Sequence, residues 1–220
     1  SKGASGKTAK QLSKKKITMN NTSNNSKPSA SHSKRGHEGL TWFMLFLLVL
    51  IIPNLVLAVT EQLTAGGRVA GIVMPLAVYG LIMSLSRKTG RTMILMFPVL
   101  FLGAFQMVLT YLYGRGPIAV DMWLNLVTTN SGEVGELLSQ LLPAIVWVVV
   151  IYVPTIALAA TLWAKKRWAN EAMVKALRLP ALFATAGALL FTALLSGLTP
   201  YSPTNDMFPL NAVCNLGMAF

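Results

Sequence analysis

The stretch that decides the fold is residues 40–60, which read LTWFMLFLLVLIIPNLVLAVT and contain no charged side chain. A helix needs about 20 apolar residues to cross the roughly 30 Å hydrocarbon core of a bilayer, and this stretch has that length. The core-facing helix of a soluble protein would carry polar residues at a helical period, which this stretch does not show. It therefore predicts a transmembrane helix.

Four further apolar stretches of similar length follow the first. They cover residues 69–86, 92–113, 141–164 and 179–199. The composition agrees: 54% of the residues are hydrophobic, 12% are charged and the mean hydropathy is +0.57, which leaves too little charge to cover a soluble domain. We predict an all-α integral membrane fold with five transmembrane helices. An amphipathic helical segment on the external or periplasmic side, within residues 114–140, would join spans three and four.

The basic residues lie at alternate ends of these stretches. Of the 19 lysines and arginines, nine precede residue 36, three lie in residues 87–91 and five in residues 165–178. Under the positive-inside rule these segments are cytoplasmic, which puts the N-terminus inside and residues 200–220 outside. The net charge of +12 is thus explained by topology, and no single basic face for nucleic acid is expected.

The two ends of the chain are polar. Residues 1–38 combine basic runs with Asn- and Ser-rich sequence, and they are expected to be a disordered cytoplasmic tail. Residues 39–200 form the predicted membrane domain, and residues 201–220 resemble the start of an external linker. Four prolines fall within the spans, where neighbouring helices are expected to satisfy the backbone groups that they free: Pro53, Pro75, Pro98 and Pro154.

Side chains for catalysis or metal binding are scarce. The chain has one cysteine, Cys214, and two histidines, His32 and His37, which both lie in the polar tail. A zinc site or an activated nucleophile needs several such groups to converge. We therefore expect no catalytic residue and no metal ligand within this chain.

The polar interval between the third and fourth stretches carries the candidate binding site. Asn125, Thr129 and Glu133 are spaced i, i+4 and i+8, so on a helix they share one face. An amide, a hydroxyl and a carboxylate at the membrane boundary would suit a cationic amine and its polar neighbours. The alternative is structural, because Asn130 and Glu133 also have the spacing of a capping box.

Two segments carry a resemblance to a known family. Residues 122–133, MWLNLVTTNSGE, and residues 208–216, FPLNAVCNL, resemble the N-terminal membrane domain of the phosphoethanolamine transferases that modify lipid A. The resemblance covers roughly residues 40–220. It implies a bacterial inner-membrane protein with phosphatidylethanolamine as donor and lipid A or another surface glycan as acceptor. It also implies that Asn125, Thr129 and Glu133 contact the lipid headgroup.

The same resemblance implies that the threonine nucleophile and the zinc ligands belong to a periplasmic catalytic domain. Nothing before Phe220 matches them, so the sequence is expected to be a truncated protein or a stand-alone membrane part. The alternative function is that of a non-enzymatic multi-pass protein, such as a transporter subunit or an assembly factor. An ion-coupled carrier is disfavoured, because no predicted span contains an ionisable residue.

Overall fold

The computed structural model describes residues 30–113, 131–167, Ala169 and residues 171–219. The packing described below is that of the described residues within the compact unit of residues 36–220. The helices among the described residues, in chain order, are α1 Ala30–Thr60, α2 Ala65–Ser84, α3 Thr89–Leu95, α4 Phe97–Tyr113, α5 Ser131–Ala164, α6 Glu171–Leu198, α7 Pro203–Asp206 and α8 Leu210–Ala219. The described part of the chain contains no β-strand.

Four of these helices are long and apolar enough to cross a membrane. The spans run over Glu38–Thr60, Ala65–Ser84, Leu141–Ala164 and Glu171–Leu198. The predicted third span is instead two helices, α3 and α4, which are bent by 60° at a short break. The all-helical fold is therefore confirmed for the described residues, and by length and composition they contain four candidate membrane spans, or up to five if the bent pair is one span.

The break between α3 and α4 lies next to a proline. Pro98 occupies the first turn of α4, where its missing N–H is tolerated. In a continuous helix its ring would clash with the carbonyl of Ile94, four residues earlier. The chain resolves this conflict at Met96, whose amide still donates to Thr92 O at 3.0 Å while its carbonyl accepts from the Leu100 amide at 3.0 Å.

Two helix boundaries differ from the predicted spans. α2 begins at Ala65 and ends at Ser84, whereas the predicted span was 69–86. α6 begins at Glu171, although the apolar stretch begins only at residue 179. Hydropathy detects the long uncharged part of a helix, whereas residues 171–178 contain three charged side chains among strong helix formers. Two basic residues, Lys175 and Arg178, therefore lie on α6 and not in a loop.

The segment before the predicted fourth span also differs in part from its prediction. Residues 131–140 belong to the same helix as the span, since α5 is a single helix of 34 residues from Ser131 to Ala164. A separate amphipathic helix between the third and fourth spans is thus not confirmed by the described residues. Residues 114–130 of that segment lie outside the part of the chain that the structure describes.

The helices pack in two groups around one core. α2 packs against α6, while α3 and α4 pack against α5. α1 contributes Phe46 and Leu50 to a core cluster that also contains Tyr79 of α2 and Tyr152 of α5. Across the α2–α6 contact, the Thr185 hydroxyl lies 3.1 Å from the Ala77 carbonyl of α2, and its shorter hydrogen bond, at 2.7 Å, is to Ala181 O of its own helix. Helix association in lipid depends on close packing and such hydrogen bonds, which this arrangement provides.

One end of this bundle, which we call the basic end, consists of residues 84–91 and 165–178. The two loops meet there, because the Ala169 amide donates to the Arg87 carbonyl at 2.9 Å. The beginning of the first span reaches the same end, where Arg167 pairs with Glu38 at 3.4 Å. The basic residues on both sides of the α2–α3 and α5–α6 connections are thus brought together by the fold.

Gly90 marks the closest approach between α3 and α5. A Cβ at this position would collide with the backbone carbonyl of Ala159 and would lie 3.1 Å from the Trp163 amide nitrogen. Both are backbone atoms of a packed helix, so they cannot move aside cheaply. Glycine is required here because the two backbones leave no space for a side chain.

We therefore expect Gly90→Ala to destabilise the protein by about 1–3 kcal/mol, the usual cost of overpacking. Gly80→Ala is the matched control, because a Cβ at Gly80 meets nothing within 4 Å. The measurement is the midpoint of thermal unfolding of the purified protein in detergent. Equal midpoints for the two variants would contradict the close approach.

Candidate functional site

The end of the bundle opposite the basic end is closed by the C-terminal segment, residues 201–219. We call it the Tyr201 end, because the Tyr201 ring lies against Gly67 in the first turn of α2. Phe208 and Ala212 are fully buried there and form a second core cluster with Leu57 of α1. Apolar residues of α4 pack against the same cluster. The segment that sequence analysis expects to begin a linker is thus packed into the bundle at this end.

Asn54 connects three parts of the bundle at this end. Its side chain is 2% exposed in the middle of an apolar helix. One orientation of the side-chain amide gives suitable partners to both its nitrogen and its oxygen. In this orientation Nδ2 donates to Gly71 O at 3.1 Å and to Phe208 O at 2.8 Å. The amide oxygen then faces donors, and Tyr79 is a hydrogen-bond partner of this side chain. α1, α2 and the C-terminal segment are therefore joined through one buried amide.

The bond to Gly71 has a cause in the sequence of α2. In an uninterrupted α-helix the Gly71 carbonyl would accept from the amide of the residue four positions later. That residue is Pro75, which has no N–H to donate. Within a membrane such an acceptor needs another donor, and a neighbouring helix can provide it. Asn54 supplies the missing donor.

Gly103 of α4 is the point where the remaining elements meet. A Cβ there would lie 3.0 Å from Pro53 Cγ of α1 and 3.1 Å from the Tyr152 hydroxyl of α5. It would also lie 3.7 Å from the Phe208 ring. α1, α4, α5 and the C-terminal segment thus approach one another at this glycine, with a tyrosine hydroxyl at the centre.

Several polar atoms at this end are buried and lack a partner among the described residues. They include the hydroxyls of Tyr152 and Tyr201 and both side-chain polar atoms of Asn211. Asn211 is fully buried at the start of α8. Leaving such a group unsatisfied costs about 1–3 kcal/mol, so buried polar groups of this kind are typical of sites that bind polar ligands or water. Together with Asn54 and Gly103 they form what we call the amide site.

Tyr201 lies beyond the end of the α6 span, at the edge of the amide site. Burial raises the pKa of its hydroxyl to about 12, and the nearby Asp206 carboxylate acts in the same direction. Asp206 is itself held in place, because it accepts from the Ser202 amide at 2.9 Å. The Tyr201 hydroxyl therefore stays protonated at physiological pH and is available as a hydrogen-bond donor.

The residues predicted from the sequence to bind the lipid headgroup are not brought together by the described structure. Asn125 and Thr129 lie outside the described residues. Glu133 lies in the first turn of α5, and its side chain is also outside the described part. The proposed stripe, and the capping role of Asn130 and Glu133, therefore stay predictions.

Sequence reasoning missed most of the amide site. Asn54 has a usable signal, because it is an amide within an otherwise apolar span. Gly103 and Tyr152 have none, since glycine and tyrosine are ordinary residues of membrane helices. Within the described ranges, no group of three or more His, Cys, Asp or Glu side chains could hold a metal ion.

Three comparisons with known proteins add no further assignment. No model of a protein family, no curated protein and no solved structure matches this chain.

Proposed function

We propose that this chain is the membrane domain of a phosphoethanolamine transferase. In this proposal it anchors a catalytic domain on the outer face of a bacterial inner membrane and helps to bind the lipid substrates. The donor is phosphatidylethanolamine, and the acceptor is lipid A or another surface glycan. The basic end faces the cytoplasm, as the positive-inside rule requires.

The observation that carries the proposal is the anchoring of residues 208–216 in the bundle. This segment is one of the two that resemble the transferase family, and the Asn54 amide holds its first residue through the Phe208 carbonyl. A domain that followed residue 220 would start from a firmly held segment at the Tyr201 end. Accurate transfer between two lipids requires such fixed placement of the reacting groups.

The place in the sequence of the other resembling segment, residues 122–133, also supports the proposal. α4 runs away from the basic end, and its later residues Phe105 and Leu109 pack on the cluster that contains Phe208. α5 runs back towards the basic end, where its residue Trp163 contacts Gly90. The end of α4 is therefore distant from the basic end, and Asn125 and Thr129 follow it in the sequence, outside the described residues.

The chemistry of the proposed headgroup site follows from three side chains. The Glu133 carboxylate would pair with the ethanolamine ammonium, while the Asn125 amide and the Thr129 hydroxyl would hydrogen-bond the neighbouring oxygens. Zinc would be held by the catalytic domain, where it would activate the threonine nucleophile. In this proposal the residues of this chain bind and orient lipid.

We expect Glu133→Gln in the full-length protein to lower phosphoethanolamine transfer by about tenfold or more, because a hydrogen bond to a charged group contributes roughly 1.5–3 kcal/mol. Asn125→Ala is expected to act in the same direction. The measurement is the fraction of modified lipid A in intact cells, determined by mass spectrometry. Membrane fractions of each variant are compared by immunoblot, to separate loss of transfer from loss of insertion.

Asn205→Ala is the matched control, because Asn205 is an exposed amide at the Tyr201 end. It should transfer normally. Normal transfer by both Glu133→Gln and Asn125→Ala would overturn the role of the stripe. Absence of transfer by the unaltered full-length protein would overturn the proposed function itself.

A second function is compatible with the same observation. Residues 201–212 bury Tyr201, Met207 and Phe208 in the bundle, which would also suit a membrane protein that works without a catalytic domain. In that case the chain would be a non-enzymatic multi-pass protein, such as a transporter subunit or an assembly factor. The transfer measurement separates the two functions, because only the first predicts modified lipid A.

A further inference from the structure

A cleft of about 460 Å³ lies at the basic end, between the end of α2 and the beginning of α6. Its floor is apolar and includes Leu85 and Val174. Its walls carry four cationic side chains, from Arg87, Lys88, Lys175 and Arg178, and one carboxylate, from Glu171. Four positive charges against one negative charge leave a net charge of +3. We call this the basic cleft.

The walls of the basic cleft are set by defined contacts. The Arg178 guanidinium donates to the carbonyls of Ser84 at 3.4 Å and Leu85 at 3.1 Å, which are the last residues at the end of α2. Cations are favourable at a helix C-terminus, so this contact joins α6 to α2 at the cleft. Arg178 thus has a structural part, and the cleft is formed between elements that it holds together.

Glu171 sets the position of two further cations. It accepts from Arg87 of the α2–α3 loop at 2.8 Å, and from Lys175, one turn later on α6, at 2.9 Å. These side chains are roughly half exposed, so the pairs contribute little to stability. Their effect is to gather positively charged side chains around one small volume.

The depth of the basic cleft in the membrane is given by its neighbours. The α2 candidate span ends at Ser84, and the uncharged stretch of α6 begins at Leu179, which indicates that the cleft lies at the boundary of the hydrocarbon region. Leu179 and Leu182 follow the lining residue Arg178 on α6, and each is more than half exposed on the helix surface. A bound molecule could therefore place an anionic group in the cleft and apolar chains along this surface.

We propose that the basic cleft binds the phosphate group of an anionic phospholipid. Basic pockets between membrane helices recognise such headgroups by charge and hydrogen bonds. A lipid is favoured over a soluble phosphate ion, because the cleft opens beside exposed leucines at headgroup depth. The proposal concerns the end of the bundle opposite the amide site and does not rest on the transferase function.

The test uses the purified chain in detergent micelles with phosphatidylglycerol, and bound lipid is counted by native mass spectrometry. The double variant Lys88→Gln with Lys175→Gln removes two of the four positive charges that line the cleft. It keeps Arg178 in its structural contact. We expect about fivefold weaker binding for each lysine removed, which is roughly 25-fold for both. Phosphatidylcholine, whose headgroup has no net charge, should bind weakly to all forms of the protein.

The matched control is the double variant Lys165→Gln with Lys166→Gln. These lysines are exposed at the same basic end but do not line the cleft. Because salt screens distant charges within about 8 Å at physiological ionic strength, we expect less than a twofold change. An equal loss in both double variants would mean diffuse attraction by the basic end and would overturn the proposal.

Inorganic phosphate separates the two possible sources of the anionic group. If the cleft binds the lipid, millimolar phosphate should leave most of the bound phosphatidylglycerol in place, and Lys88→Gln with Lys175→Gln should still remove it. Full displacement by phosphate at that concentration would overturn the assignment to a lipid. Unchanged lipid binding by the cleft variant, with normal size-exclusion behaviour, would overturn the site.

Discussion

Phe208→Ala is expected to destabilise the protein by about 3–5 kcal/mol, the usual cost of removing a fully buried phenylalanine side chain. Phe208 is fully buried and is the centre of the cluster that joins the C-terminal segment to α1 and α4. In lipid the loss comes mainly from packing contacts, because the cavity left between the helices has no atoms to fill it. The segment should therefore detach locally before the bundle unfolds.

Two measurements check this result. The midpoint of thermal unfolding in detergent should fall, and limited proteolysis should cleave residues 201–219 much faster than in the unaltered protein. Val213→Ala is the matched control, because Val213 lies in the same segment and is 54% exposed. Similar proteolysis of the two variants would show that the segment is not held by Phe208.

Asn54→Leu is expected to destabilise the protein by about 2–4 kcal/mol, because it leaves two buried carbonyls without a donor. The carbonyls belong to Gly71 and Phe208, and both now accept from the Asn54 amide. Leucine has a similar volume, so the change tests the hydrogen bonds more than the packing. The midpoint of thermal unfolding in detergent measures the effect.

A double-mutant cycle tests the reason for the bond to Gly71. Pro75→Ala returns an N–H to α2, so the Gly71 carbonyl would again have a donor within its own helix. We therefore expect Asn54→Leu to cost about 1 kcal/mol less in the Pro75→Ala background than in the unaltered protein. Equal costs in the two backgrounds would show that Asn54 does not replace the donor that Pro75 removes.

Much of the fold could be predicted, because spans are set by local composition. The spans at 40–60 and 141–164 agree with the structure to within a few residues, since each is a long uncharged run. The bend at Met96 could be predicted only in part, because prolines within spans have different outcomes. Pro53 and Pro75 lie inside continuous helices, whereas Pro98 begins a new one. Neighbouring packing decides between these outcomes.

The sites were less predictable than the spans. The sequence points to Asn125, Thr129 and Glu133, whose side chains lie outside the described structure, and their role is still a prediction. It does not point to the amide site, because contacts such as the one from Asn54 to Phe208 join residues far apart in the chain. Nor does it show that Lys175 and Arg178 lie on α6 beside the α2–α3 loop.

The sequence by itself determined that this chain is a helical membrane protein and where most of its spans lie. Bilayer hydrophobicity imposes those features on each segment separately, so no knowledge of its neighbours is required. Tertiary structure alone decided that residues 201–219 return to the bundle and that an amide of α1 satisfies a carbonyl freed by a proline of α2. It also decided that four basic side chains line one cleft. These features depend on which helices pack together, and helix pairing cannot be predicted from composition.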